Sequence, residues 1–240
     1  MIEIIYNYSV TSTNDLAAKC ETPWTIFIAE EQTKSRGQRG NSWESEPNKN
    51  LTFSLVMQFD FLNASQQFYI SKIVSLAIVN TLEDMDIKPK IKWPNDIYVE
   101  NEKICGILIE NCLSSNGMLN KSIIGVGLNI NQKIFKSDAP NPTSIINITG
   151  CESNRNEVLN SFALHLTKQY NLLSLYDYQI IDNQYTSYLY RFNKPHLFKT
   201  PDSEVFTAKI VDVLAQGDLI VEHENGENKR YLFKEIEYIL

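Results

Sequence analysis

Thr33-Lys34-Ser35-Arg36-Gly37-Gln38-Arg39-Gly40-Asn41-Ser42-Trp43 sets two arginines alternating with two glycines directly after an apolar run, Thr25-Ile26-Phe27-Ile28-Ala29-Glu30. The run reads as a strand, and the segment after it as the loop that leaves its end. Glycine admits φ > 0 and lets backbone N–H groups come close to a ligand. Arginine adds a fixed charge on a planar donor fork that suits phosphate or carboxylate. Arg/Gly content alone also fits a solvated basic turn. The chain, however, has 240 residues and a net charge of −7. A local cationic loop on an acidic body points to a small anionic ligand, because general nucleic-acid binding needs a broad basic face.

Outward from this loop the chain alternates strands and helices. Upstream, Ile2–Tyr8 reads as a strand, and Ser12-Thr13-Asn14-Asp15 opens a helix through Cys20 in a capping-box pattern. Ser12, Thr13 and Asn14 either cap that helix or hydrogen-bond a polar ligand head. Downstream, apolar residues at 51, 53, 55, 57 and 59 repeat with a period of two and predict a half-buried strand over Leu51–Phe59. Asn63 and Gln66 cap a helix with its apolar stripe at Ile70, Ile73, Val74, Ala77, Ile78 and Leu82, which Lys88-Pro89 ends. Lys90 to Asp96 forms a short strand and turn, Ile97–Val99 and Ile104–Glu110 a hairpin, and Ser122–Ile130 a further strand. Asn154 and Glu157 cap a second long helix, and Ile180–Tyr190 is another. Past Pro195, short runs with turns at Gln216-Gly217-Asp218 and Asn225-Gly226 predict a small β-barrel appendage. The class is α+β: a mixed sheet with flanking helices over 1–193, and a β domain over 194–240.

Several chemistries are excluded. The chain has no Gly-x-x-x-x-Gly-Lys-Ser/Thr phosphate loop, no His-Glu-x-x-His and no Gly-x-Ser-x-Gly elbow. Four cysteines form no Cys-x-x-Cys pair, and three scattered histidines form no metal cluster, so no metal site follows from a motif. No apolar run is long enough to span a membrane, and Met1–Tyr6 does not read as a signal peptide, so a cytoplasmic protein with reduced thiols is expected. The remaining polar set at strand ends comprises Ser12, Thr13, Asn14, Gln32, Arg36, Arg39, Lys92, Asn95, Asp96, Lys103 and Asn129. Cations and amides converging with one carboxylate suit the electrostatic work of phosphoryl or nucleotidyl transfer. Taken singly, Lys92 and Lys103 read as strand-edge lysines, Asp96 as a turn residue, Glu110 as a surface charge, and Trp43 and Trp93 as packing groups.

In order along the chain stand Ser12-Thr13-Asn14, Glu31-Gln32 before Arg36-Gly37-Gln38-Arg39-Gly40 and Trp43, and Lys92-Trp93-Pro94-Asn95-Asp96. Lys103 with Gly106-Ile107-Leu108 and Glu110, and Gly125-Val126-Gly127-Leu128-Asn129, complete the series. This series resembles the signature of biotin–protein ligases. The resemblance implies a catalytic fold like that of class II aminoacyl-tRNA synthetases, followed by an SH3-like β-barrel. It implies that biotin and ATP with Mg2+ give biotinyl-5′-adenylate, which then acylates a lysine of a biotin carboxyl carrier domain. Carried over by motif, Ser12, Thr13, Asn14, Gln32, Arg36, Gly37, Gln38, Lys103 and Gly106 bind biotin. Arg36, Arg39, Trp43, Lys92, Asn95, Lys103 and Asn129 bind ATP or the adenylate. Lys103, Arg36 and Asp96 are the catalytic set, with Asp96 orienting or deprotonating the incoming amine. Ser35 and Gln38 depart from a fuller Gly-Arg-Gly-Arg-Arg-Gly run, and Gln38 removes one cation that could retain the adenylate. Only eleven residues precede Ser12, too few for the winged helix-turn-helix of repressor-type relatives, so no DNA partner is expected. A homodimer through the Ile104–Ile130 strands is left open, as are two rivals. One is a lipoate or octanoate ligase of the same fold; the other is a non-catalytic biotin-binding regulator.

Overall fold

A computed structural model describes residues 2–37, 42–137 and 141–239. Gln38 and Arg39, to which ligand contacts are assigned above, lie outside the described residues. The chain runs β1 (Glu3–Val10), α1 (Thr13–Ala18), β2 (Thr25–Gln32), β3 (Leu51–Met57) and α2 (Phe68–Glu83). It continues through β4 (Pro89–Lys92), β5 (Asp96–Val99), β6 (Glu102–Leu113) and β7 (Leu119–Leu128). Three helices follow: α3 (Ile145–Thr149), α4 (Arg155–Ser174) and α5 (Tyr178–Tyr188). The chain ends in β8 (Pro195–Lys199), β9 (Val205–Val213), β10 (Leu219–His223), β11 (Asn228–Tyr231) and β12 (Glu237–Tyr238).

The first seven strands form one sheet in the order β1-β2-β3-β7-β6-β5-β4. Only β1 and β2 run parallel; the other neighbours are antiparallel, so the sheet is mixed as expected. Its two faces are covered differently. Leu51, Phe53, Leu55 and Met57 of β3 and Ile124, Val126 and Leu128 of β7 join the main core with α2 and α4. The alternate residues Val56 and Ile123 pack instead against Ala17 of α1. The strand β3 is therefore buried along its whole length, not half-buried. The period of two marks two differently covered faces, because Thr52 lines a protein-walled cleft and Ser54 is buried against Thr13 and Asn14, neither facing solvent. The helix α2 stops at Glu83, ahead of Lys88-Pro89, because the chain turns back through Ile87 N–H to Leu82 O at 3.1 Å. The short helix α3, not foreseen, starts where the Ser144 hydroxyl accepts Asn147 N–H and ends at Gly150 with φ +76°.

The C-terminal strands form a second, antiparallel sheet in the order β11-β10-β9-β8-β12. This order is open, and among the described residues no pairing joins β11 to β12, so the closed barrel is not found. The main core runs on from the helices into Phe198, Ile210, Leu219 and Val221 of this sheet. Polar links bind the two parts as well. Lys72 of α2, almost fully buried, donates to Asp182 Oδ1 at 2.6 Å and to Val213 O at 2.8 Å. Trp93 Nε1 donates to Gly217 O at 2.8 Å, after a cis Trp93–Pro94 peptide. No helix among the described residues is long and apolar enough to cross a membrane. All four cysteines are free of disulfides.

Candidate functional site

A cleft of about 500 Å³, its open mouth included, lies on the α1 side of the sheet. Its polar wall is built where α1 packs on β2 and β3. Thr13 N–H donates to Gln32 Oε1 at 2.7 Å, and the Thr13 hydroxyl lies 3.2 Å from the same oxygen. Ser54 Oγ, fully buried, lies 2.7 Å from Thr13 Oγ1 and 2.5 Å from Asn14 Oδ1. Asn14 Nδ2 donates to Glu110 Oε2 at 2.6 Å. Ser12 stands at the helix N-cap in extended backbone, but its side chain makes no capping hydrogen bond. It is buried and lines the cleft instead, as do Thr13 and Asn14.

The floor is nearly free of side chains. Gly106 of β6 pairs directly with Gly127 of β7, and Leu108 with Gly125. A Cβ on Gly125 would stand 2.5 Å from Asn14 Oδ1, and one on Gly127 would fall on the Trp43 ring. A Cβ on Gly106 would meet the same ring at 3.0 Å. Glycine here is a requirement of close approach, which lets Trp43 lie flat across two strands.

Two cations line this cleft. Lys103 Nζ sits 2.6 Å from Asp96 Oδ1 and 5.6 Å from the Trp43 ring centroid. Arg36 Nη2 pairs with Asp15 Oδ1 at 2.6 Å and lies 3.8 Å from Glu110 Oε2. Ser12, Thr13, Asn14, Gln32, Arg36, Gly37, Trp43, Asn95, Lys103 and Gly106 all line this one cleft. Asp96 joins through its ion pair. Asn95 fixes its own turn as well, donating from Nδ2 to Ile107 O at 2.8 Å while its carbonyl accepts Ile107 N–H at 2.9 Å.

Two members of the expected set are placed elsewhere. Lys92 is not part of the cleft wall: its ammonium lies between the rings of Tyr98 and Tyr238, at 4.8 and 5.0 Å. Burial there pushes its pKa down, Asp96 opposing and Lys103 assisting. Asn129 is buried behind Lys103 and donates to Thr143 O at 2.9 Å, while its Oδ1 has no partner among the described residues. Glu110, read above as a surface charge, instead holds Asn14 and neighbours Arg36. Ser54, Thr52 and Asp15 were not foreseen either. The signal for Ser54 and Thr52 was the polar phase of the β3 alternation; Asp15 was masked by its fit to a capping box.

Just after Trp43, the Glu44 carboxylate accepts backbone N–H groups from Lys136 at 2.9 Å and Ser137 at 2.7 Å. Partial burial opposes its ionisation, but the hydrogen bonds from Ser137, Lys136 and Gln132 outweigh that, and the carboxyl sits below the ordinary 4.5. A depressed folded pKa adds stability that is complete above the unfolded value and is lost as pH falls through the folded one. Glu44→Gln is therefore expected to melt below the wild type at pH 7, with the gap narrowing as pH falls below 4.5. Melting curves over pH 3.5–7 (roughly the carboxylate range) check this, and a constant gap rejects it.

Comparison with known proteins agrees with this geometry. The sequence model of the Biotin/lipoate A/B protein ligase family matches residues 6–129. The bifunctional ligase/repressor BirA of Bacillus subtilis is 27% identical over 239 residues, covering 95% of this chain and 72% of that protein. A biotin–[acetyl-CoA-carboxylase] ligase of Paracoccus denitrificans is 26% identical over 183 residues, covering 74% of this chain and 75% of its own length. The solved structure of a biotin protein ligase from Aquifex aeolicus in complex with biotin and ATP superposes with a TM-score of 0.82 at 25% identity. That match covers 99% of this chain and 98% of the other. With the family signature spread over the same strands that build the cleft, the chain belongs to the biotin/lipoate A/B protein ligase family.

Proposed function

We propose that this chain joins biotin to ATP, giving biotinyl-5′-adenylate and pyrophosphate, and passes the biotinyl group to a lysine of a biotin carboxyl carrier domain. One observation carries the reading: a wall of hydroxyls and amides and two cations, Lys103 and Arg36, share a single glycine-floored cleft. In the first step a biotin carboxylate oxygen attacks the α-phosphorus, and pyrophosphate leaves. Anion meets anion, and Lys103 and Arg36 offset the repulsion as charge builds on the phosphoryl oxygens. Thr13, Asn14, Ser54 and Gln32 already satisfy one another, so a planar polar head group can enter by exchanging partners. In the second step the carrier lysine attacks the acyl carbon, and AMP leaves. A free lysine is protonated at neutral pH, and Asp96, beside Lys103, is placed to orient that amine or take its proton. Mg2+ enters with the nucleotide; among the described residues no group of three His, Cys, Asp or Glu forms a metal cage. We divide the chain into a ligand-binding part, 1–193, and an SH3-like addition, 194–240.

Biotin-dependent exchange of pyrophosphate into ATP tests the reading, and exchange that starts only on adding biotin is the expected result. Exchange with lipoate or octanoate but not biotin assigns the chain to the lipoate branch. Biotin binding without any exchange makes it a regulator.

A further inference from the structure

The residue after Trp43 reaches a segment far along the chain. Glu44 Oε1 accepts Gln132 Nε2–H at 3.1 Å and Lys136 N–H at 2.9 Å. Its Oε2 accepts Ser137 N–H at 2.7 Å and shares the Lys136 N–H at 3.0 Å. Gln132, fully buried, ties the same two segments a second time. Its Oε1 accepts Glu46 N–H at 2.9 Å and Asn50 Nδ2–H at 2.6 Å. Farther along, Asn141 O accepts Lys103 N–H at 2.7 Å, and Thr143 N–H donates to Lys103 O at 2.9 Å. The Ser144 hydroxyl donates to Gln132 O at 2.6 Å, so one set of contacts runs from Trp43 through Glu44, Gln132 and Ser144 to Thr143 and the backbone of Lys103. At its end Trp43 lies across the Gly106–Gly127 pair beside the Lys103 ammonium, its indole Nε1 buried without a partner among the described residues. An aromatic face, a free indole donor and an ammonium side by side match the base and phosphate of a nucleotide.

We propose that Glu44 is a positioning residue for the nucleotide half of the reaction, holding Trp43 over the glycine floor by clamping its backbone to the segment 132–137. The proposal rests on the ATP-using reading given above. Four acceptor contacts from one carboxylate, three to the backbone N–H groups of Lys136 and Ser137 and one to the buried Gln132 amide, fix the chain direction just after Trp43, and with it the plane of the ring. Charge-assisted hydrogen bonds to backbone N–H are the strong kind. Among the described residues no hydrogen bond joins the wall at Thr13, Gln32 and Ser54 to this clamp, so the two ligands separate its effect.

Glu44→Ala is expected to raise KM for ATP roughly tenfold, the loss of one to two charge-assisted hydrogen bonds, while KM for biotin stays within about twofold. Amide hydrogen exchange across 132–137 accelerates in the same variant, a readout that does not depend on catalysis. The decisive measurement is the double variant. In a Trp43→Ala background, Glu44→Ala should add little further to KM for ATP, because it acts through the ring. Additive effects, an equal rise in KM for biotin, or unaltered amide exchange each overturn the proposal. Glu44→Gln, which keeps one carbonyl acceptor, carries the same tests if the alanine variant does not fold. If the wild-type protein neither binds nor exchanges ATP, the functional reading falls instead, and the exchange data still report whether the clamp exists.

Discussion

Lys103→Ala is expected to slow biotin-dependent ATP–pyrophosphate exchange by about 10²–10³-fold, the cost of removing one charge-stabilising donor from a preorganised site. The side chain is only 24% exposed and is held by Asp96 at 2.6 Å, so it is already placed before any ligand arrives. The effect should appear in kcat more than in biotin affinity, since the wall proposed to meet the head group is built by α1, β2 and β3. Lys103→Arg keeps the charge but puts a planar fork where Gly106 and Trp43 leave room for a narrow stem, so only part of the activity is expected to return. Losing Lys103 also leaves the partly buried Asp96 without its ion-pair partner, and a fall in melting temperature accompanies the alanine change. Asp96→Asn/Lys103→Ala removes that charge penalty. Recovery of stability without recovery of exchange is the expected pattern. Full carrier labelling by Lys103→Ala would remove Lys103 from the mechanism.

Asp182→Ala is expected to cost about 3–5 kcal/mol of stability, more than any change to its partner, because it strands a buried ammonium. The Lys72 side chain is 3% exposed whereas that of Asp182 is 35% exposed, so the two ends of the pair are unequal. Without Asp182, Lys72 keeps only Val213 O and the faces of Tyr69 and Tyr185, at 4.9 and 5.5 Å. Lys72→Met instead keeps the volume, and Asp182 retains the Tyr69 hydroxyl at 2.9 Å and water. That loss should stay near about 1 kcal/mol, the scale of a single hydrogen bond. Urea denaturation of the two variants decides the matter, and equal losses or the reverse order would refute the assignment. Lys72 joins α2 and α5 to the end of β9, so Asp182→Ala should loosen the second sheet first, visible as faster amide exchange over 205–213.

The elements of the large sheet were legible because their patterns are local. Alternation marks β3, a Glu-Asn-Glu-Lys turn marks the β5–β6 hairpin, and Asn63 with Gln66 forms a true capping box, though on a single 3-10 turn ahead of α2. The cleft was legible only through motif order, since Thr13, Gln32, Lys103 and Gly127 converge from four elements. What escaped the sequence depends on partners at long range. Glu110 looks like any carboxylate near a strand end until Asn14, 96 positions away, is set against it. Lys92 stands opposite Asp96 across β4 and β5, on the same face, yet its ammonium is taken up by Tyr98 and by Tyr238 from the far end of the chain, neighbours the motif does not show. The closed barrel was inferred from turn spacing, which fixes the number of short strands but not whether the last pairs with the first. The buried length of β3 escaped for the same reason: a polar phase looks identical whether it meets water or the inside of a cleft.

The paired glycines of β6 and β7 also constrain how this site can diversify. Glycines cannot be trimmed, and a side chain added at 106, 125 or 127 drives into the Trp43 ring or the Asn14 amide. Selection for a bulkier vitamin analogue or a modified base must therefore act on Trp43, which rests on those glycines, or on the rim at Thr52 and Leu108, and libraries aimed at the strand floor should return mostly inactive proteins.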